Sequence, residues 1–164
     1  MSMLLSDMLS QSDTGQYLTP RQVSKFSAAE IRQTIASLVS GGHMDLADAL
    51  SAAGLSLYPD SEDILAISAL LSEIRLDWKS AEELLSHLMT LQGDAVQPMT
   101  WLHLIRVIRC QSEFSRALLN AKKAVAIYPN ERALQDEFLS LQKLISAETP
   151  DLATTLLHFF HYPR

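Results

Sequence analysis

The stretches LYPDSEDI (residues 57–64) and IYPNERAL (residues 127–134) repeat one pattern 70 positions apart. Tyr58-Pro59-Asp60 in the first corresponds to Tyr128-Pro129-Asn130 in the second. At the same offset Met44 falls on Phe114, Ala47 on Ala117, Gly54 on Ala124, Leu55 on Val125 and Leu57 on Ile127. A middle copy starts at Trp78. Trp78-Lys-Ser-Ala81 matches Met44-Asp-Leu-Ala47 and Phe114-Ser-Arg-Ala117, at offsets of 34 and 36 residues. In each copy a bulky apolar residue precedes an alanine by three positions.

Between these echoes the apolar residues recur at spacings of three and four, the period of a helix with one buried face. Ile64, Leu65, Ile67, Leu71 and Ile74 do so in 62–76, and Trp101, Leu104, Ile105 and Ile108 in 100–110. Breaks fall at Gly41-Gly42, Pro59, the Gly93 to Pro98 segment, Pro129 and Pro150. Asp60 or Ser61 is placed to cap the helix after Pro59, and Asn130 the helix after Pro129, because a short side-chain oxygen satisfies an orphan backbone N–H. Pro98 suits a first helical turn, where its missing N–H costs nothing. Helices of about 12–15 residues joined by short turns form antiparallel pairs.

A period of about 34 residues built from two helices is the tetratricopeptide pattern. The chain resembles that family through Gly42, Met44, Ala47, Gly54 and Pro59 in a first unit, and through Trp101, Leu104, Phe114, Ala117, Ala124, Tyr128 and Pro129 in a third. The middle unit keeps Ala69, Trp78 and Ala81, but Leu88 replaces the second small residue, Gly93 stands where proline would, and two extra residues precede Pro98. An altered angle between the second and third units is the expected consequence. Ile105 also occupies a usually small position.

The resemblance implies an all-α fold, a right-handed stack of antiparallel helix pairs of the α-solenoid type. Small residues are expected at close helix crossings and bulky ones between units. The pairs are expected at about 28–61, 62–97 and 98–131. Residues 1–27 form an N-terminal segment: a short amphipathic helix with Met1, Leu4, Leu5, Met8 and Leu9 on one side, then a linker over 11–22. Residues 132–164 hold a helix that caps the open end of the stack and a tail, DLATTLLHFFHYPR after Pro150, with an apolar, aromatic end.

Bulk properties narrow the function. The 164 residues are 48% hydrophobic, enough for a domain with a proper core, and carry a net charge of −6. That balance argues against a general nucleic-acid or anionic-membrane binder. A lone cysteine, Cys110, cannot form an internal disulfide, and it reads as a partly buried structural thiol. The start lacks the basic residues of a secretory signal, and no run reaches the roughly 18 apolar residues of a membrane span. A cytoplasmic protein without membrane insertion is expected.

Signatures of catalysis are missing from the sequence. There is no phosphate-binding glycine loop, no G-x-S-x-G elbow and no H-E-x-x-H. His43 sits in a turn, and His87 and His103 lie singly within helices. His158 and His161 share a helical face but fall short of the three or four ligands zinc takes. Glu62-Asp63 and Glu82-Glu83 sit near helix starts, where negative charge meets the positive end of the dipole. No enzyme activity, cofactor or metal is expected.

What remains is a surface. The resemblance puts the first helix of each pair on an inner, concave face. That assigns Ala29, Arg32, Gln33, Ala36 and Val39, then Asp63, Ala66, Ile67, Leu70 and Glu73, then Met99, Leu102, His103, Arg106 and Arg109 to it. Contiguous apolar surface there marks a binding site, and the arginines suit carbonyls or carboxylates of a partner. The expected groove comprises Arg32, Ala36, Ala66, Ile67, Leu70, Met99, Leu102, His103, Arg106 and Arg109. Its partner would be a peptide or helix of another protein. The layout is similar to that of small bacterial type III secretion chaperones, which mask apolar segments of export substrates. A scaffold bridging two proteins is the alternative, and the terminal helices offer a surface for homodimerisation.

Overall fold

The computed structural model describes residues 3–12 and 19–148. The tail after Glu148, with His158, His161 and the HFFHY end, lies outside the described residues, as do Met1 and part of the linker. Among the described residues every regular element is a helix: α1 (Met3–Ser12), α2 (Pro20–Val23), α3 (Ala28–Ser40), α4 (Met44–Leu57), α5 (Glu62–Ile74), α6 (Trp78–Gln92), α7 (Pro98–Cys110), α8 (Phe114–Ile127) and α9 (Arg132–Glu148). A single 3-10 turn, Gly93–Ala95, follows α6.

Three equivalent turns reverse the chain, α3 into α4, α5 into α6 and α7 into α8. In each, the residue two before the bulky apolar position has positive φ: Gly42 at 77°, Leu76 at 60° and Ser112 at 62°. The same two hydrogen bonds close each helix end. The N–H of Gly42, Leu76 and Ser112 donates to the carbonyls of Val39, Glu73 and Arg109. The next N–H, of His43, Asp77 and Glu113, reaches back to Leu38, Ser72 and Ile108. This paired left-handed closure satisfies carbonyls that the helix leaves open. The Tyr-Pro turns also coincide: Tyr58 and Tyr128 donate their N–H to Gly54 and Ala124, both at 2.8 Å.

The chain divides into two compact units, Met1–Val96 and Gln97–Arg164. The division falls in the segment where the sequence loses its proline and gains two residues. In the first unit, α3 packs against α4 and α5, and α5 against α6. Gly54 marks the close crossing. A Cβ there would meet Ile64 Cδ1 at 3.2 Å and Ile31 Cγ2 at 3.3 Å. Around it Ile31, Ile35, Leu38, Leu50, Ile64 and Leu71 form the core. Helix α1 lies against α3, with Leu4 and Met8 buried in that same core. Burying two such side chains stabilises by about 2 kcal/mol each, so the apolar side of α1 is engaged within its own unit. In the second unit α9 packs on α8 and α7, burying Leu134 and Leu141.

Some helix ends fall where expected and others differ. Ser61 caps α5, its hydroxyl accepting from Ile64 N–H, and Pro98 sits in the first turn of α7. Helix α9, however, starts at Arg132, so Glu131 and not Asn130 precedes its first turn. Glu82 and Glu83 lie in the second turn of α6, whose cap is Asp77. The dipole acts weakly on them, since its effect fades beyond the first turn. Cys110, the last residue of α7, is exposed, not partly buried.

Candidate functional site

Two successive reversals make α3 and α5 run in the same direction, side by side. Arg32 Nε and Asp63 Oδ1 pair across them at 2.9 Å, both about half exposed. A surface pair of this kind is worth about 0–1 kcal/mol; it serves to align two exposed rows. One turn along from Arg32 comes Ala36, and one and two turns from Asp63 come Ala66 and Leu70. Ala36 and Ala66 are exposed, and Leu70 is 39% exposed. Ile67 is not part of this surface: at 9% exposure it belongs to the buried apolar cluster that also holds Ile31 and Ile64.

In the second unit the expected groove residues lie on α7, which packs against α9. Met99 is largely exposed, whereas Leu102 is 5% exposed and buried by packing. Together with Gln97, Pro98, Glu131, Ala133 and Leu134 they line a pocket of about 220 Å³. A turn further along α7, Arg106 and Arg109 point at one carboxylate of the chain itself. Arg106 Nε donates to Glu137 Oε2 at 3.3 Å, and Arg109 Nη1 to Glu137 Oε1 at 2.6 Å. The arginines expected to meet a partner's carboxylate therefore already hold one. His103 is partly buried on the same helix.

Glu137 was not singled out in the sequence, although a signal was there. It falls between Leu134 and Leu141 at spacings of three and four, on the apolar stripe of α9, where a charge needs a partner. The sequence likewise did not reveal a cleft of about 460 Å³ among α4, α5 and α6, lined by residues including Asp48, Arg75, Asp77 and His87. Its floor holds a buried hydroxyl pair, Ser51 Oγ to Ser68 Oγ at 2.7 Å. Arg75 pairs with Asp48 at 3.2 Å, and His87 Nε2 lies 3.1 Å from Asp60. Among the described residues no group of three His, Cys, Asp or Glu side chains is placed to hold a metal. No described helix is long and apolar enough to cross a membrane.

These features define a helical-repeat protein whose unit is a two-helix hairpin. Neither a protein-family model nor a curated protein matches the chain. Solved structures do, and they narrow the class. The first tetratricopeptide domain of Spaghetti (RPAP3), bound to the HSP90 peptide SRMEEVD, is 12% identical, with 73% of this chain and 93% of that one covered and a TM-score of 0.64. The second such domain of human RPAP3, in complex with the HSP70 peptide SGPTIEEVD, is 11% identical over 76% and 98% of the two chains, with a TM-score of 0.60. YrrB, described as a tetratricopeptide protein with an unusual peptide-binding site, is 15% identical over 68% and 57%, with a TM-score of 0.58. The chain has the all-α tetratricopeptide-type repeat fold.

Proposed function

We propose that the chain is a non-enzymatic protein-binding module, a chaperone or adaptor that holds an apolar peptide or helix of a partner on the exposed face of its first helices. The observation that carries this reading is the α3–α5 face, where Ala36, Ala66 and Leu70 line up beside the Arg32–Asp63 pair. Small side chains let a guest backbone approach closely, and Leu70 supplies apolar contact. In the second unit, Met99 on α7 and the adjoining pocket offer apolar surface of their own, while Ile67 and Leu102 are buried as packing. Two of the similar structures hold peptides, which supports the same use of this fold. The similarity of layout to type III secretion chaperones, read from the sequence, makes an export substrate with an apolar segment the narrower proposal, in a cytoplasmic setting.

The test is capture of binding proteins from the native host with wild type, Leu70→Glu and Ala66→Glu. Both positions are exposed, so circular dichroism should be unchanged. Capture is expected to fall about tenfold or more, as for a contact worth at least 1.4 kcal/mol. Undiminished capture by folded variants would remove the face from the function and favour a scaffold acting through other surfaces.

A further inference from the structure

Glu137 is 8% exposed, yet it carries a carboxylate with each oxygen taken by a different arginine of α7. Its backbone position is set by Leu134 and Leu141, both fully buried on the same stripe of α9. Arg106 and Arg109 are spaced one turn apart, and both keep solvent-facing surface on their side chains. Two guanidinium groups converging on one point make an anion site. Here the anion belongs to the chain.

We infer that Glu137 is a specificity-determining residue: an internal carboxylate that fills the anion site of Arg106 and Arg109 and makes the α7–α9 face reject acidic peptides. This rests on the reading of the chain as a peptide-binding module and names the class of segment it takes. An acidic guest would meet guanidinium groups whose charge is already offset by a carboxylate tethered in place, and the effective concentration of a tethered group is high. Displacement would also leave Glu137 buried without its counter-charges, which is strongly unfavourable. One and two turns back along α7, Leu102 and Met99 line an apolar pocket with Leu134. The face therefore suits an apolar segment without a run of carboxylates, in contrast to the acidic peptides held by the similar structures.

The experiment titrates the peptide SRMEEVD into the full chain, as wild type, Glu137→Gln, Glu137→Met and Glu137→Gln/Arg109→Ala, by calorimetry at low salt. The glutamine and methionine variants are expected to bind at least tenfold more tightly than wild type. That gain should shrink as salt is added and vanish in the double variant. Methionine suits the apolar stripe, so it carries the reading if the glutamine variant does not fold. Wild type binding the peptide as tightly as the variants, or folded variants gaining nothing, overturns the proposal. Failure of the broader reading looks different: wild type would then capture no partner from the host, whatever the peptide titrations show.

Discussion

At the scale of single residues, the repeat is held by a backbone conformation that three unlike side chains share. Gly42, Leu76 and Ser112 all adopt positive φ at equivalent positions, and for an L-residue that region costs about 1–2 kcal/mol. Leu76 is 67% exposed, so its side chain returns little packing. Leu76→Gly is expected to raise stability by about 0.5–1 kcal/mol, the relief of strain less the entropy glycine loses on folding. Urea denaturation checks it, and a lower midpoint for the variant would contradict it. Gly42→Ala should lower stability by a similar amount, since open space surrounds a Cβ there and strain alone acts. The sequence disclosed this turn at Gly42 and concealed it at Leu76 and Ser112. Their own preferences oppose the conformation, and the helix pairing on either side overrides them.

At the scale of elements, helix starts carry the local electrostatics. Ser27 opens α3 with a reciprocal capping box: its hydroxyl accepts from the Glu30 N–H while Glu30 accepts from Ser27. The pattern Ser27-Ala-Ala-Glu30 is readable in sequence as such a box. Hydrogen bonds from the Ser27 hydroxyl, then from its backbone N–H, hold the Glu30 carboxyl below its ordinary 4.5. Those from Ser80 hold Asp77, the cap of α6, below 3.8. A depressed carboxyl pKa contributes stability above the ordinary value, and that contribution disappears as pH falls through the lowered one. The difference in melting temperature between wild type and Ser27→Ala should therefore be full at pH 7 and shrink below about pH 4. Thermal scans across that range decide it; a gap that widens with acid would assign the cap's effect elsewhere. Asn130 and the Glu82-Glu83 pair show the limit of such reading, because propensity locates a helix better than its first residue.

At the scale of the molecule, the chain gathers into two compact units at Val96 and Gln97. Each has its own buried apolar set, with Leu50 inside the first and Leu134 inside the second. Leu50→Ala should destabilise by about 2–5 kcal/mol through loss of burial and the cavity left behind. Amide exchange should then quicken in α3 to α6 far more than in α7 to α9. Equal quickening throughout would mean that the chain opens as one cooperative body.

The repeat, its helical class and most turns were legible in the sequence because they rest on local periodicity and on residues with few conformations open to them, such as Pro59 and Pro129. Tertiary structure alone decided that Ile67 and Leu102 are buried, that Arg106 and Arg109 are joined to Glu137, and that α1 docks on α3. Which side of a helix faces water, and which charge meets which, depends on neighbours tens of residues away. No local pattern encodes those distances.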